Sequence, residues 1–185
     1  MQNLSPFGWA LRPLKRYAEF SGRASRAEFW WFTLFLIVTY IVVIIALGTT
    51  AGGLAAMNPA SAIAAGGVGI FAIFIGLFWL AMFIPVLAVQ IRRLHDINRS
   101  GWWMGAFWLL YLVYVGFTFS YAFAASSVTD TAPPSVAGAL AVAVLALVVF
   151  VYSIVLLVFF CLPGTKGANR YGDDPYGADV AEVFA

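Results

Sequence analysis

The charged residues of this chain are confined to a few short stretches, and that confinement decides what it can fold into. No Lys, Arg, Asp or Glu falls between Glu28 and Arg92, between Arg99 and Asp130, or between Asp130 and Lys166. A charge at the centre of a bilayer costs roughly 2.5–3.5 kcal/mol on insertion scales, so uncharged apolar stretches of this length mark lipid-embedded segments. Composition agrees. The chain is 63% hydrophobic and 10% charged, where a soluble domain carries about 25% charged residues. A water-soluble core cannot absorb that excess; a bilayer can.

Four apolar runs are long enough to cross, at residues 29–47, 68–89, 102–123 and 136–162. Each must be a helix, because a lone strand in lipid would leave its backbone groups unpaired. The expected fold is therefore an all-α integral membrane protein with four transmembrane helices in a bundle. It divides into an N-terminal segment with an interfacial helix (1–28), the transmembrane domain (29–162) and a tail (163–185). Ser25-Arg26-Ala27-Glu28 has capping-box spacing before the first span. Asn58-Pro59 and Pro133-Pro134-Ser135 break the connections, with Ser135 as an N-cap, and Pro163-Gly164 stops the last helix. Pro85 is expected to kink the second span, and the Ala/Gly-rich stretch from Ala51 to Gly69 reads as a flexible loop. All ten Lys and Arg residues lie in the N-terminal segment, the second connection and the tail. By the positive-inside rule both termini are cytoplasmic.

Trp30, Trp31, Trp102 and Trp103 stand where an aromatic belt would place them. Gly48-x-x-x-Gly52 and Gly101-x-x-x-Gly105 match small-residue packing spacing, at span ends. The single cysteine, Cys161, and the single histidine, His95, cannot assemble a zinc site. No metal, cofactor, catalytic residue or nucleic-acid partner is expected. Nearly thirty polar or mixed residues precede the first run, so the first span reads as its own insertion signal rather than a cleavable one.

Three polar blocks share the cytoplasmic side: Tyr17 to Trp30, Arg92 to Trp103, and Pro163 to Pro175. They resemble the blocks of a bacterial inner-membrane family known only as domain of unknown function 805. That family's recurring elements are F-x-G-R-x-x-R-x-E-F/Y-W, R-R-L-H-D-x-x-x-S-G-W-W and G-x-x-x-x-N-R-Y/F-G-x-D/N-P. Phe20, Gly22, Arg23, Arg26, Glu28, Phe29 and Trp30 match the first. Arg92, Arg93, Leu94, His95, Asp96, Ser100, Gly101, Trp102 and Trp103 match the second. Gly164, Asn169, Arg170, Tyr171, Gly172, Asp174 and Pro175 match the third. The resemblance implies a multi-pass protein of the bacterial cytoplasmic (inner) membrane and implies no activity. Between Trp103 and Pro163 this chain has two full spans, where the short members have room for little more than one.

The chemistry of the blocks carries the rest. Arg23, Arg26, Arg92, Arg93, Arg99, Lys166 and Arg170 face Glu28, His95, Asp96, Asp173 and Asp174, with Asn169 as a turn-forming amide. Converging at one end of a bundle, they suit two tasks: tying the blocks together through Arg–carboxylate pairs, or binding phosphate head groups. Arg92 and Arg93 also suit a helix C-terminus facing anionic lipid. His95 and Asp96 are adjacent on a helix and point about 100° apart, which disfavours a catalytic dyad. The expected role is a non-catalytic module binding membrane lipids, a phosphorylated ligand or a protein partner at the cytoplasmic face, with self-association as a further expectation. The alternatives are a small transporter or channel lined by neutral groups such as Thr33, Thr39, Gln90, Tyr111, Tyr114, Thr118, Tyr152 and Ser153, or a lipid-phosphate enzyme with His95 or an aspartate, Asp96 or Asp174, as base.

Overall fold

A computed structural model describes residues 5–57, 62–126 and 135–175. They form five helices: α1 (Pro6–Lys15), α2 (Arg26–Met57), α3 (Ala62–Asp96), α4 (Trp102–Ser126) and α5 (Val136–Cys161). Among the described residues there is no strand beyond one isolated bridge, Asn169 to Gly172. Helices α2 to α5 are each long and apolar enough to cross a membrane. The molecule is all-α, with four spans.

Helix α1 begins at Ser5, whose Oγ accepts from the Gly8 N–H at 3.2 Å, with Pro6 at the first helical position. Arg12 and Lys15 fall in its last turn, where cations complement the helix dipole. Ala10 and Pro13 are buried, and α1 packs chiefly on α2. Helix α5 starts as the sequence suggests, with Ser135 Oγ accepting from the Gly138 N–H at 3.2 Å. It stops at Leu162, immediately before Pro163.

Two expectations change. The Ala/Gly-rich stretch read as a loop is largely helical, since α2 continues to Met57 and α3 starts at Ala62. Alanine is the best helix former, and here it outweighs the glycines. The breaks at Asn58-Pro59 and Pro133-Pro134, and Asp130, lie outside the described residues. At 32 and 35 residues, α2 and α3 are each longer than the roughly 20 residues a bilayer core needs. Pro85 sits inside α3 without ending it. Lacking an N–H, it leaves the Ala81 carbonyl without its usual helical partner, and Tyr17 supplies one: its hydroxyl donates to Ala81 O at 2.5 Å.

The buried core is concentrated at the charged end. Phe29 and Phe32 of α2, Val89 and Leu94 of α3, Met104 of α4, and Leu156 and Phe160 of α5 pack together there with Ala24. Phe29 and Phe160 meet with ring centroids 4.6 Å apart. Toward the other end the apolar side chains face outward, as lipid solvent allows: Ile45, Phe74, Phe119 and Leu140 are all exposed. Among the four spans, α4 packs mainly on α5 and α2 on α3, while α3 and α4 barely touch.

Candidate functional site: an arginine–carboxylate network

The site is built around the last turns of α3. That helix closes in a Schellman motif. The Arg99 N–H donates to Leu94 O at 2.8 Å and the Asn98 N–H to His95 O at 3.0 Å, with Asn98 at φ +59°. Arg92, Arg93, His95 and Asp96 therefore lie on helix, within the packed core.

Asp96 is the hub. One carboxylate oxygen accepts from Arg23 Nε at 3.0 Å and forms an ion pair with its Nη2 at 2.9 Å, and the other accepts from Arg93 Nη1. All three side chains are almost wholly buried. Arg23 also spans to the third block, donating from Nη2 to Thr165 O at 2.5 Å and from Nη1 to Gly167 O at 2.6 Å. Arg93 donates to Phe160 O at 3.2 Å and also to Leu162 O. These are carbonyls at the end of α5, which lack helical partners there. The two arginines thus clamp all three blocks and the end of α5 onto one carboxylate.

The third block follows from this. Gly164 lies so close to Asp96 that a Cβ would come within 2.2 Å of Oδ2, so only glycine fits. The Thr165 N–H and Oγ1 donate to Asp96 O, at 2.9 and 3.1 Å. Asn169 donates from Nδ2 to His95 O at 3.0 Å, while its Oδ1 accepts from the Tyr171 N–H at 2.8 Å, an Asx turn. The Gly167 N–H donates to Asp174 at 3.1 Å.

His95 faces away from Asp96. Its Nδ1 lies 3.1 Å from Gly22 O, and because a carbonyl only accepts, that nitrogen carries the proton. Tyr171 stacks on the ring at 3.8 Å and 5°. The imidazole is held as a packing piece, and both oxygens of the neighbouring carboxylate belong to the arginines.

A second pair stands apart. Arg92 Nη1 lies 2.8 Å from Glu28 Oε1, a charge contact whose angles miss hydrogen-bond geometry. Only half of the expected capping box forms: Ser25 Oγ accepts from the Glu28 N–H at 3.1 Å. The Glu28 carboxylate faces Arg92 and, at 3.7 Å, Arg12 Nε. Just outside, Arg16 donates twice to Glu19, at 2.7 and 2.6 Å. That hydrogen bonding holds the Glu19 carboxyl below its usual range and the Arg16 guanidinium above its own.

The structure therefore brings together Arg23, Arg93, Asp96, His95 and Asn169, and separately Arg92 with Glu28. Arg92 and Arg93 are turned inward and fully buried, instead of facing lipid from the helix end, because carboxylates and free carbonyls lie inside. Arg26, Arg99, Lys166 and Arg170 stay exposed, as does Asp173. Arg170 reaches Asn98 O at 3.1 Å and lies over Tyr171, and Arg99 lies over the Phe159 ring. Sequence reasoning passed over Arg12, Arg16 and Gly164 as site residues. The i, i+4 spacing of the two arginines and the fixed glycine of the third block were the available signals.

Four of the eight groups considered for a neutral path have other uses. Thr33, Thr39 and Ser153 donate to carbonyls of their own helices. The Tyr152 hydroxyl donates to Trp103 O at 2.9 Å, joining α5 to α4. An open cleft of about 560 Å³ lies between α3 and α4, lined by Phe83, Leu87, Ile91, Ser100, Gly101, Trp102, Gly105 and Trp108. No charged side chain lines it, so the network does not open into it.

The chain is similar in sequence to known proteins. The family described as "Protein of unknown function (DUF805)" matches residues 17–173, which takes in the first two blocks and the third as far as Asp173. The inner membrane protein YhaI of Escherichia coli (strain K12) is 36% identical over 169 residues, covering 90% of this chain and 94% of its own. The inner membrane protein YhaH of the same strain is 32% identical over 167 residues, covering 90% and 95%. No solved structure matches the chain.

Proposed function

We propose that this chain, which belongs to the DUF805 family, is a non-catalytic module that gathers anionic lipid head groups around a rigid arginine–carboxylate staple. It is a multi-pass protein with four apolar spans, and like its relatives it belongs to the inner membrane. The observation that carries the reading is the division of labour among the cations. Arg23 and Arg93 are spent inside, on Asp96 and on backbone carbonyls. Arg26, Arg99, Lys166 and Arg170 remain exposed at the same end.

With the positive-inside orientation that end meets the cytoplasmic leaflet, where each surface cation contributes about 1 kcal/mol toward anionic lipid. The network does structural work: it fixes the ends of α2, α3 and α5 so that the exposed cations keep their spacing. A catalytic reading has less support, because His95 is stacked and bonded to a carbonyl while Asp96 serves two arginines.

The test is the lipid that the protein retains when extracted in polymer discs. The wild type is expected to enrich anionic over zwitterionic lipid relative to the bulk membrane. The quadruple variant Arg26→Gln, Arg99→Gln, Lys166→Gln, Arg170→Gln is expected to lose that enrichment. Equal retention by both proteins would refute the proposal.

A further inference from the structure

We infer that Arg12, Arg16 and Arg92, between α1 and the α2–α3 pair, form a discrete site for a single phosphate-type anion. This goes beyond the surface ring of cations and uses none of its residues. The starting point is a contrast among three buried arginines. Arg23 finds acceptors in Asp96, Thr165 and Gly167, and Arg93 in Asp96, Phe160 and Leu162. Arg92 is fully buried as well, yet Nε and Nη2 have no hydrogen-bond acceptor among the described residues, and Nη1 has only its misaligned contact with Glu28. A guanidinium presents five donors, and leaving buried donors unmade is costly. This protein satisfies such groups elsewhere with its own carbonyls. Here it does not.

The surroundings favour an anion as the missing partner. Arg12 holds its Nε 3.7 Å from Glu28, too far for a hydrogen bond, and its side chain remains 31% exposed. Arg16 is 23% exposed, and its Nη2 lies beside Gly22. Three guanidinium groups therefore meet two carboxylates, Glu28 and Glu19, and one of those, Glu19, sits at the surface on Arg16. One positive charge is left over. Arg92 is deepest, with Arg12 and Arg16 toward solvent, so an anion entering past the last turn of α1 meets donors from several directions. Planar guanidinium forks around one tetrahedral oxyanion are the geometry that phosphate recognition uses. The phosphate can come from a lipid head group or from a small soluble phosphoester; the recognising chemistry is the same.

The experiment uses the full chain in neutral detergent and in discs, with two probes. One arm titrates inorganic phosphate and glycerol 3-phosphate against chloride at constant ionic strength and follows the melting temperature. The other compares discs of phosphatidylcholine with and without phosphatidylglycerol. A rise of several degrees is expected in at least one arm: with the soluble probes if the source is free, with phosphatidylglycerol if it is lipid. Arg12→Gln, at a partly exposed position, is expected to weaken the response at least tenfold. The paired change Glu28→Gln with Arg92→Gln removes both buried charges together and is expected to abolish it. In the quadruple surface variant the part of the response that Arg12→Gln removes is expected to remain, which separates this site from the surface cations. No response in either arm, or a response that survives both Arg12→Gln and the paired change, would overturn the inference and leave Arg92 to bound water.

Discussion

Asp96 shows how much of this molecule rests on single side chains. Its two oxygens pair with Arg23 and Arg93 in a region closed to water. Taking charges out of water is expensive, so such a pair adds little net stability over an apolar replacement, yet losing one partner strands the others. Asp96→Asn leaves two buried guanidinium groups without a counter-charge and is expected to cost about 3–5 kcal/mol. The exposed Asp173→Asn should stay within about 0.5 kcal/mol of wild type. Denaturant titration of the two variants in detergent checks the contrast, and equal midpoints would mean that the network is not what holds this end. The sequence disclosed the participants but not the pairing. The three aspartates in the blocks, Asp96, Asp173 and Asp174, look alike on paper. Only the close approach of Gly164, which leaves no room for a Cβ, and the carbonyls at the end of α5 single out Asp96, and both are tertiary facts.

The four spans were legible because an uncharged apolar run has no other stable home than lipid. Their far ends were not, because alanine and glycine beyond the membrane carry no hydrophobic signal, and α2 and α3 run on through them. Pro85 illustrates a subtler limit. Its presence in a helix is plain from sequence, but what becomes of the carbonyl it frees is settled by Tyr17, 64 residues away. A free carbonyl in an apolar setting costs about 1–3 kcal/mol. Tyr17→Phe is therefore expected to destabilise the fold by about that amount. In a Pro85→Ala background residue 85 regains an N–H to bond Ala81 within the helix, and the same Tyr17→Phe change should then be nearly silent. A double-mutant cycle measures this coupling. Additive effects of the two changes would show that the hydroxyl has no special role at Ala81.

Across the whole molecule, charge and packing are segregated to one end. One end carries every Lys and Arg of the described residues, and that same end carries the buried core. The outward-facing side chains elsewhere are apolar, so lipid does not drive the helices together there, and the small contact between α3 and α4 leaves a cleft. The bundle is thus pinned at its charged end and packed loosely beyond it. Insertion must place that end in the cytoplasm if the positive-inside rule governs, because ten basic residues lie in the N-terminal segment, the second connection and the tail, and none in the other two connections. Cysteine labelling in a Cys161→Ser background reads this directly. Glu19→Cys and Lys166→Cys should react with a membrane-impermeant maleimide only after the inner membrane is permeabilised, and Thr129→Cys should react before. The reverse pattern would put the cation ring in the periplasm, facing the outer leaflet of the inner membrane. The staple around Asp96 would be untouched by that result, since it depends on packing alone, but the lipid surface available to Arg26, Arg99, Lys166 and Arg170 would change sides with them.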